Sequence, residues 1–484
     1  VDENHAQAYA NQIQKLLSCR NSEELEIYSL TKNYSPYIIF PMINHRLESF
    51  RTAFQNLQLL PLITPEQLNK FHVEYGTEIL EELEHLVEDC SPDNNKIIFT
   101  GHRGSGKSTL LGQFCQHTKN RYFVVFFSIS DLIEMSDVNH VNILFAMAVQ
   151  LMEAAEERHI KIGSKTKKAF YQWFSKHTRT EGSSVDSSIE LETSAEAGVN
   201  AWFVKFFAKL KATLKANSVI REEITTEFAR RISDLVDRIN DIASAIQSAC
   251  GQEIMVVIDD LDKLDLEIVD RVYRNNISAL FQPQFRIIYT IPMAATRDMS
   301  LRGIIHNATN NKIQSMWATK LFPRGEDRVP NASPVEEAVK VFEQILYKRL
   351  PQDLIEPEAT QMMIVKSGGA LREFIRLASQ CCGLCLKQLR RTPDKQDLII
   401  TSEILKNAIT DYRINLTEPL GQNRYQILVD IYQNYLPNDG MDQDFLDLLH
   451  NLYILEYRNA DLWFGVHPVV QEILQKRGLI GVTG

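Results

Sequence analysis

The tightest constraint on this chain is eight residues long. Gly101-His102-Arg103-Gly104-Ser105-Gly106-Lys107-Ser108 fits the pattern G-x-x-x-x-G-K-[ST]. An apolar run of strand type, Lys96–Thr100, leads into it, and Leu110, Leu111 and Phe114 follow at helical spacing. Strand, glycine-rich loop and helix in that order let backbone N–H groups turn inward around an anion, and the helix start adds partial positive charge. Such a loop is a phosphate cradle. Gly101, Gly104 and Gly106 would supply its turns, and Arg103, Ser105 and Thr109 would contribute to its lining. Lys107 would reach the terminal phosphates, and the Ser108 hydroxyl would take a place on Mg²⁺.

A phosphate cradle that does chemistry needs acids beside it, and "VVIDDLDKLD" supplies them. Met255–Ile258 read as a buried strand, with Asp259 and Asp260 emerging at its carboxyl end. Asp259 would hold Mg²⁺ through water, and Asp260 would orient an attacking water. Asp262, two residues on, is a further candidate for the metal shell. Thr290 in "IIYTIP" is either a sensor of the terminal phosphate or a threonine bonded within the sheet.

Composition sets the frame. With 484 residues, 44% hydrophobic and 24% charged, the chain reads as an ordinary soluble globular protein of about three domains. The net charge of −10 argues against a large nucleic-acid surface. No apolar run is long enough to span a bilayer. The acidic, polar N-terminus lacks the order of a signal peptide. Seven cysteines are scattered. The C-x-x-C at Cys382 and Cys385 lies in a helical pattern with no second pair, which points to core packing. A reducing, cytoplasmic location is expected.

Strand-like runs at Arg121–Ser130, Glu253–Asp260, Phe285–Pro292 and within Lys312–Phe322 alternate with helical patterns, one of them expected to run unbroken from Glu222 to Ala249. The fold class is therefore α/β, a parallel sheet between helical layers. The expected organisation is an N-terminal helical region (1–75), a core (76–330) with an insertion at 158–220, a helical lid (331–415), and a C-terminal unit (416–484) reading helix, helix, two-strand wing, helix. In the insertion, Phe203, Phe206, Phe207, Leu210 and Leu214 recur at helical spacing between lysines. Segment 198–215 is then an element packed on the core, a surface for a partner or second copy, or, as the weakest of the three, a membrane contact.

With these motifs in place, the chain resembles P-loop ATPases of the AAA+/STAND group, similar in pattern to origin-recognition-type ATPases and KAP-type NTPases. The Asp259–Asp262 run is similar to the acidic Walker B of KAP and NACHT proteins. "SGGALREFIRLAS" (Ser367–Ser379) resembles the sensor 2 helix of the AAA+ lid, which would turn Arg372 toward the γ-phosphate. "FGVHPVVQEIL" (Phe464–Leu474) looks like the winged-helix motif in which STAND proteins set a histidine near the ADP β-phosphate, a role that would fall to His467 unless it simply caps the last helix. The resemblance implies ATP/ADP and Mg²⁺ as ligands and slow ATP hydrolysis, with Lys107, Asp260, Thr290 and Arg372 as the catalytic set. It also implies a switch that assembles with itself or signals to a protein partner. Two alternatives stand beside it: a mechanoenzyme or loader acting on DNA or protein, and an adaptor that uses ATP structurally. AAA+ motors usually carry Glu where Asp260 stands, which argues against fast turnover. Arg297, Arg302 and Arg324 are candidate arginine fingers. The expected recognition helix, Gly440–Leu452, carries Asp442, Asp444 and Asp447 and no Lys or Arg, which argues against duplex DNA.

Overall fold

The computed structural model describes residues 45–88, 96–179, 196–329, 332–393, 395–418, 420–458 and 461–481, with backbone only at 196–203. Most of the polar stretch 179–193, the side chain of Phe203, and Cys19 and Cys90 lie outside the described residues.

The chain enters through α1 (His45–Asn56), α2 (Pro65–Phe71) and α3 (Thr77–Glu88). Thr64 and Gln67 close a capping box over the start of α2, which fixes where that short helix begins. A five-stranded sheet follows. β1 (Lys96–Gly101) runs into α4 (Lys107–Thr118), then β2 (Tyr122–Ser128) and a helical excursion of α5 (His140–Glu157), α6 (Ser164–Thr178), α7 (Glu196–Ala216), α8 (Ser218–Ala229) and α9 (Ile232–Cys250). β3 (Glu253–Asp259) leads to α10 (Leu266–Val269), which continues through a π turn (Asp270–Arg274) into α11 (Asn275–Leu280). β4 (Arg286–Pro292), α12 (Met299–Thr309) and β5 (Ile313–Met316) complete the core. The strand order is β2-β3-β4-β1-β5, and every pairing is parallel.

Parallel strands need helices on both faces, which explains their nearly unbroken apolar sequences. Alternate residues serve opposite cores: Phe123, Val125, Val256 and Ile258 pack with α5 and α7–α9, while Val124, Met255 and Val257 pack with α3 and α4. The expected helix over 222–249 is in fact two, α8 and α9, parted at Arg230–Arg231. Apolar spacing runs on across the break (Ile224, Phe228, Ile232, Leu235), so periodicity alone does not reveal it.

The insertion is built into the core. Phe206, Phe207, Leu210 and Leu214 of α7 are all buried, with Phe206 meeting the Tyr171 ring edge-on at 4.9 Å. Its lysines reach outward along the protein: Lys211 pairs with Glu153, and Lys215 donates to the carbonyls of Ser130 and Ile133. No helix among the described residues is long and apolar enough to cross a membrane.

The region expected as a lid comprises α13 (Glu336–Tyr347), α14 (Pro357–Lys366), α15 (Leu371–Arg391) and α16 (Ser402–Thr417). Its core includes Cys381, Cys382 and Cys385, all fully buried, together with Phe50, Ala53 and Leu57 from α1 and its C-terminal end. Helix α1 is thus part of the lid's packing. The C-terminal unit follows as α17 (Gln422–Asn434), α18 (Gln443–His450), the antiparallel hairpin β6 (Ile454–Arg458) and β7 (Leu462–Val466), and α19 (Pro468–Lys476). On α18, Asp444 and Asp447 both accept from Arg424, so these acids are held inside the unit.

Candidate functional site

The glycine-rich loop leaves β1 at the carboxyl edge of the sheet. Gly104 (φ 78°) and Gly106 (φ 102°) adopt left-handed backbone that other residues resist. A Cβ on Gly104 would lie 2.2 Å from the Cβ of Arg372, so the loop needs glycine there for the lid to approach. The Arg372 N–H donates to the Gly104 carbonyl at 2.9 Å. The start of α15 therefore rests directly on the loop.

Lys107 is buried and its Nζ is fully engaged. It donates to the carbonyls of Gly101 (2.9 Å) and His102 (2.6 Å) and pairs with Asp262 at 2.8 Å. Ser108 hydrogen-bonds to Asp259, and Thr109 Oγ1 accepts from the Leu62 N–H at 3.0 Å. Asp259, Asp260 and Asp262 place one carboxylate oxygen each within 4.8 Å of one another. Burial first, then the charges of Asp262 and Asp260, push the Asp259 carboxyl up to about 6. Among the described residues its Oδ1 is buried without a hydrogen-bond partner, as is Ser105 Oγ within the loop. A divalent cation among these carboxylates would offset their mutual repulsion, and an anion in the loop would give Ser105 a partner. The residues present fit both.

The two neighbouring acids divide in direction. Asp260 sits at φ 67°, which turns its side chain toward the end of β2. There it accepts from Ser128 (2.7 Å) and Ser130 (2.9 Å) and pairs with Lys263 at 2.5 Å. Burial alone would raise its carboxyl, but these bonds outweigh it and hold the group below its ordinary value. Asp262 instead faces Lys107. Sequence spacing marked it as a candidate without revealing that pairing.

Thr290 is fully buried in β4, between the strands that carry the loop and the acids. It accepts from the Leu261 N–H at 3.0 Å and donates to the Ile258 carbonyl at 3.1 Å. The alternative of a threonine bonded within the sheet describes this placement: Thr290 fixes the acidic turn and does not line the cavity.

The cavity at the loop is lined by Arg103, Gly104, Gly106–Leu110 without interruption, Asp262, Lys263 and Arg372. Its far end is formed by Leu59–Leu62, His72, Val73 and Tyr75, with Ile345, Arg349, Leu371 and Ile375 from the lid. This wall was not legible in the sequence, because nothing in the 58–75 segment carries a motif. His467 is placed elsewhere. It is fully buried, its Nδ1 accepts from the Val469 N–H at 3.2 Å as the N-cap of α19, and its ring lies 6.1 Å from that of Tyr412 in the lid. Of its two readings, helix cap or neighbour of a β-phosphate, this arrangement shows the cap, and His467 does not line the cavity.

A different histidine joins the C-terminal unit to the loop. His102 Nε2 accepts from the Glu456 N–H at 2.6 Å. Glu456, fully buried on β6, takes both Nε (2.7 Å) and Nη2 of Arg297. Burial pushes its carboxyl up to about 7, against the pull of Arg297, and burial, with Lys107 nearby, pushes His102 down to about 3. Of the finger candidates, Arg297 is thus bound within its own chain, as is Arg324, which donates to the Asn434 carbonyl at 3.2 Å. The Arg302 side chain donates only to His306 among the described residues.

Residues 77–289 match the family model described as the KAP family P-loop domain. No curated protein matches the chain. Solved structures that align over most of the chain include Cdc6p from Pyrobaculum aerophilum, at 13% identity and TM-score 0.35, over 87% of this chain and 98% of that one. The Aeropyrum pernix ORC2 protein, in ADPNP-ADP complexes, aligns at 11% identity and TM-score 0.37, over 89% and 99%. The Aeropyrum pernix ORC1 protein, in complex with DNA, aligns at 10% and 0.35, over 86% and 96%. Likenesses this distant do not bear on function.

Proposed function

We propose that this chain, a P-loop NTPase resembling the KAP type, is an ATP-binding switch that hydrolyses its nucleotide slowly and couples nucleotide state to assembly with itself or with a protein partner. The observation that carries this reading is that one loop accepts from two separate units at once: Gly104 from Arg372 of the lid, and His102 from Glu456 of the hairpin. Whatever fills the loop competes with, or reinforces, the docking of both.

The triphosphate would lie along the loop, with its base end among Leu62, Val73, Ile345 and Ile375. Lys107 would release its loop carbonyls to meet the phosphates, while Asp262 keeps its charge balanced. Ser108 and Asp259 would hold Mg²⁺, which supplies charge neutralisation at the transferring phosphoryl group. Arg372 stands at the same cavity, close enough for the lid to respond to the terminal phosphate. Asp260 would orient water, but its carboxylate already serves two hydroxyls and Lys263. An acid held that way is a weak base, which supports slow turnover. The engagement of Arg297 and Arg324 within one chain favours a switch over a constitutive motor ring.

The test is the nucleotide content and solution mass of the purified protein, with and without a non-hydrolysable ATP analogue and Mg²⁺. Bound ADP in a monomer that assembles only with the analogue supports the switch. An empty site in a ring of fixed mass would sink it.

A further inference from the structure

Beside the Arg297–Glu456 bridge lies a second, polar cavity, walled by α12, the end of β5 and the hairpin. Three guanidinium groups from three separate elements meet there. Arg297 gives Nε and Nη2 to Glu456, and among the described residues its Nη1 has no acceptor. Arg302 on α12 gives only Nε, to His306 Nε2 at 3.1 Å. His306 in turn bonds Asn311 Oδ1 at 2.5 Å through Nδ1, so its proton sits on Nδ1 and the ring acts as an acceptor that aims Arg302. Arg458 on β6 lies with its guanidinium 5.4 Å from the Trp317 ring, and Arg297 lies 5.9 Å from the same ring. Neither Arg302 nor Arg458 has an ion-pair partner among the described residues. Asp461 is the acid in the cavity wall.

We propose that this cavity binds the phosphoryl group of a small molecule, and that the ligand acts as an effector separate from the nucleotide in the glycine-rich loop. Like charges converging without enough acids repel one another, and an oxyanion relieves them. Planar guanidinium forks match phosphoryl oxygens in pairs, and several such groups suit a dianion better than a single carboxylate. The ligand would touch Arg297 and Arg302 of the core and Arg458 of the hairpin together, so binding would favour the docked hairpin. Occupancy of the cavity stands on its own geometry; its effect on docking rests on the switch reading.

The experiment uses the full chain carrying Lys107→Ala, which removes phosphate binding at the loop. Inorganic pyrophosphate is titrated by calorimetry into this protein and into the same protein with Arg302→Glu and Arg458→Glu, both exposed positions. The fold of each is checked by thermal melting. Saturable binding to the first, weakened more than about tenfold in the second, is expected. No binding to the first protein, or equal binding to both folded proteins, overturns the site. A short duplex DNA that binds tighter than pyrophosphate and is lost in the same variant overturns the small-molecule assignment in favour of nucleic acid. Pyrophosphate should also slow hydrogen exchange over 454–458. Binding without that slowing leaves the site standing and removes its coupling to the switch.

Discussion

The N–H of Glu456 and the Nε2 of His102 meet at 2.6 Å across 354 positions of sequence, tying a strand of the C-terminal hairpin to the loop that cradles phosphate. Both groups are buried, and neither has water to fall back on. Replacing His102 by alanine strands the Glu456 N–H, at a cost of about 1–3 kcal/mol to hairpin docking. Hydrogen exchange over 454–466 should quicken by the corresponding factor, while the buried strands β1, β3 and β4 keep their protection. Unchanged exchange in the hairpin would show that this bond does not hold it.

Asp260 and Asp262 are given different work by their directions, and paired variants separate them. Asp260→Asn should slow single-turnover hydrolysis by about 10²-fold with nucleotide affinity nearly intact, freezing the triphosphate-bound form. Asp262→Asn leaves Lys107 buried without its acid, so it should lower stability and change nucleotide affinity together. Hydrolysis untouched by Asp260→Asn would remove that residue from the mechanism.

Asp259 predicts a pH dependence with a definite sign. Its carboxyl is raised to about 6 in the metal-free fold, above the ordinary value near 3.8. Its contribution to stability is therefore complete below 3.8 and is lost as pH rises through 6. Mg²⁺ binds the ionised form and reverses this. The melting temperature without Mg²⁺ should fall between pH 5 and about 7 on account of this group, and the increment produced by Mg²⁺ should grow over the same interval. An increment independent of pH would argue that Asp259 is not a ligand.

Gly104 is where backbone conformation and lid contact coincide. Gly104→Ala combines about 1–3 kcal/mol of backbone strain with a methyl placed 2.2 Å from Arg372 Cβ. The loop or the lid must give way. Fluorescent ADP should bind more weakly, and protease should reach the start of α15 faster. A variant with wild-type affinity and protection would mean that the lid does not rest on the loop in solution.

The loop and the acidic turn were legible because their chemistry is written in consecutive residues, and the strands because burial on both faces leaves them almost wholly apolar. What escaped was decided by direction and distance. The left-handed φ of Asp260 turns it toward Ser128 and Ser130, and no spacing rule reports that. Thr290 and His467 each had two readings open, a place at a phosphate or a local backbone bond, and only the fold decides: Thr290 Oγ1 accepts from the Leu261 N–H and His467 Nδ1 from the Val469 N–H. The wall from 58–75 carries no motif, since a base needs only apolar surface there. Glu456 carries no motif in its hairpin, and only the fold sets it against Arg297.

The way the chain threads between lid and core has a mechanical corollary. The lid takes up α1, the chain then passes to the core through 58–76, bonding Thr109 from Leu62 on the way, and it returns to the lid through 317–335. These two passages are pinned to each other where Tyr75 Oη meets Thr319 Oγ1 at 2.9 Å. A flap on a single tether can twist as well as open; a door hung at two joined hinges turns about one axis. In the proposed switch, two passages joined in this way would favour a swing of the lid across the mouth of the phosphate loop over a twist.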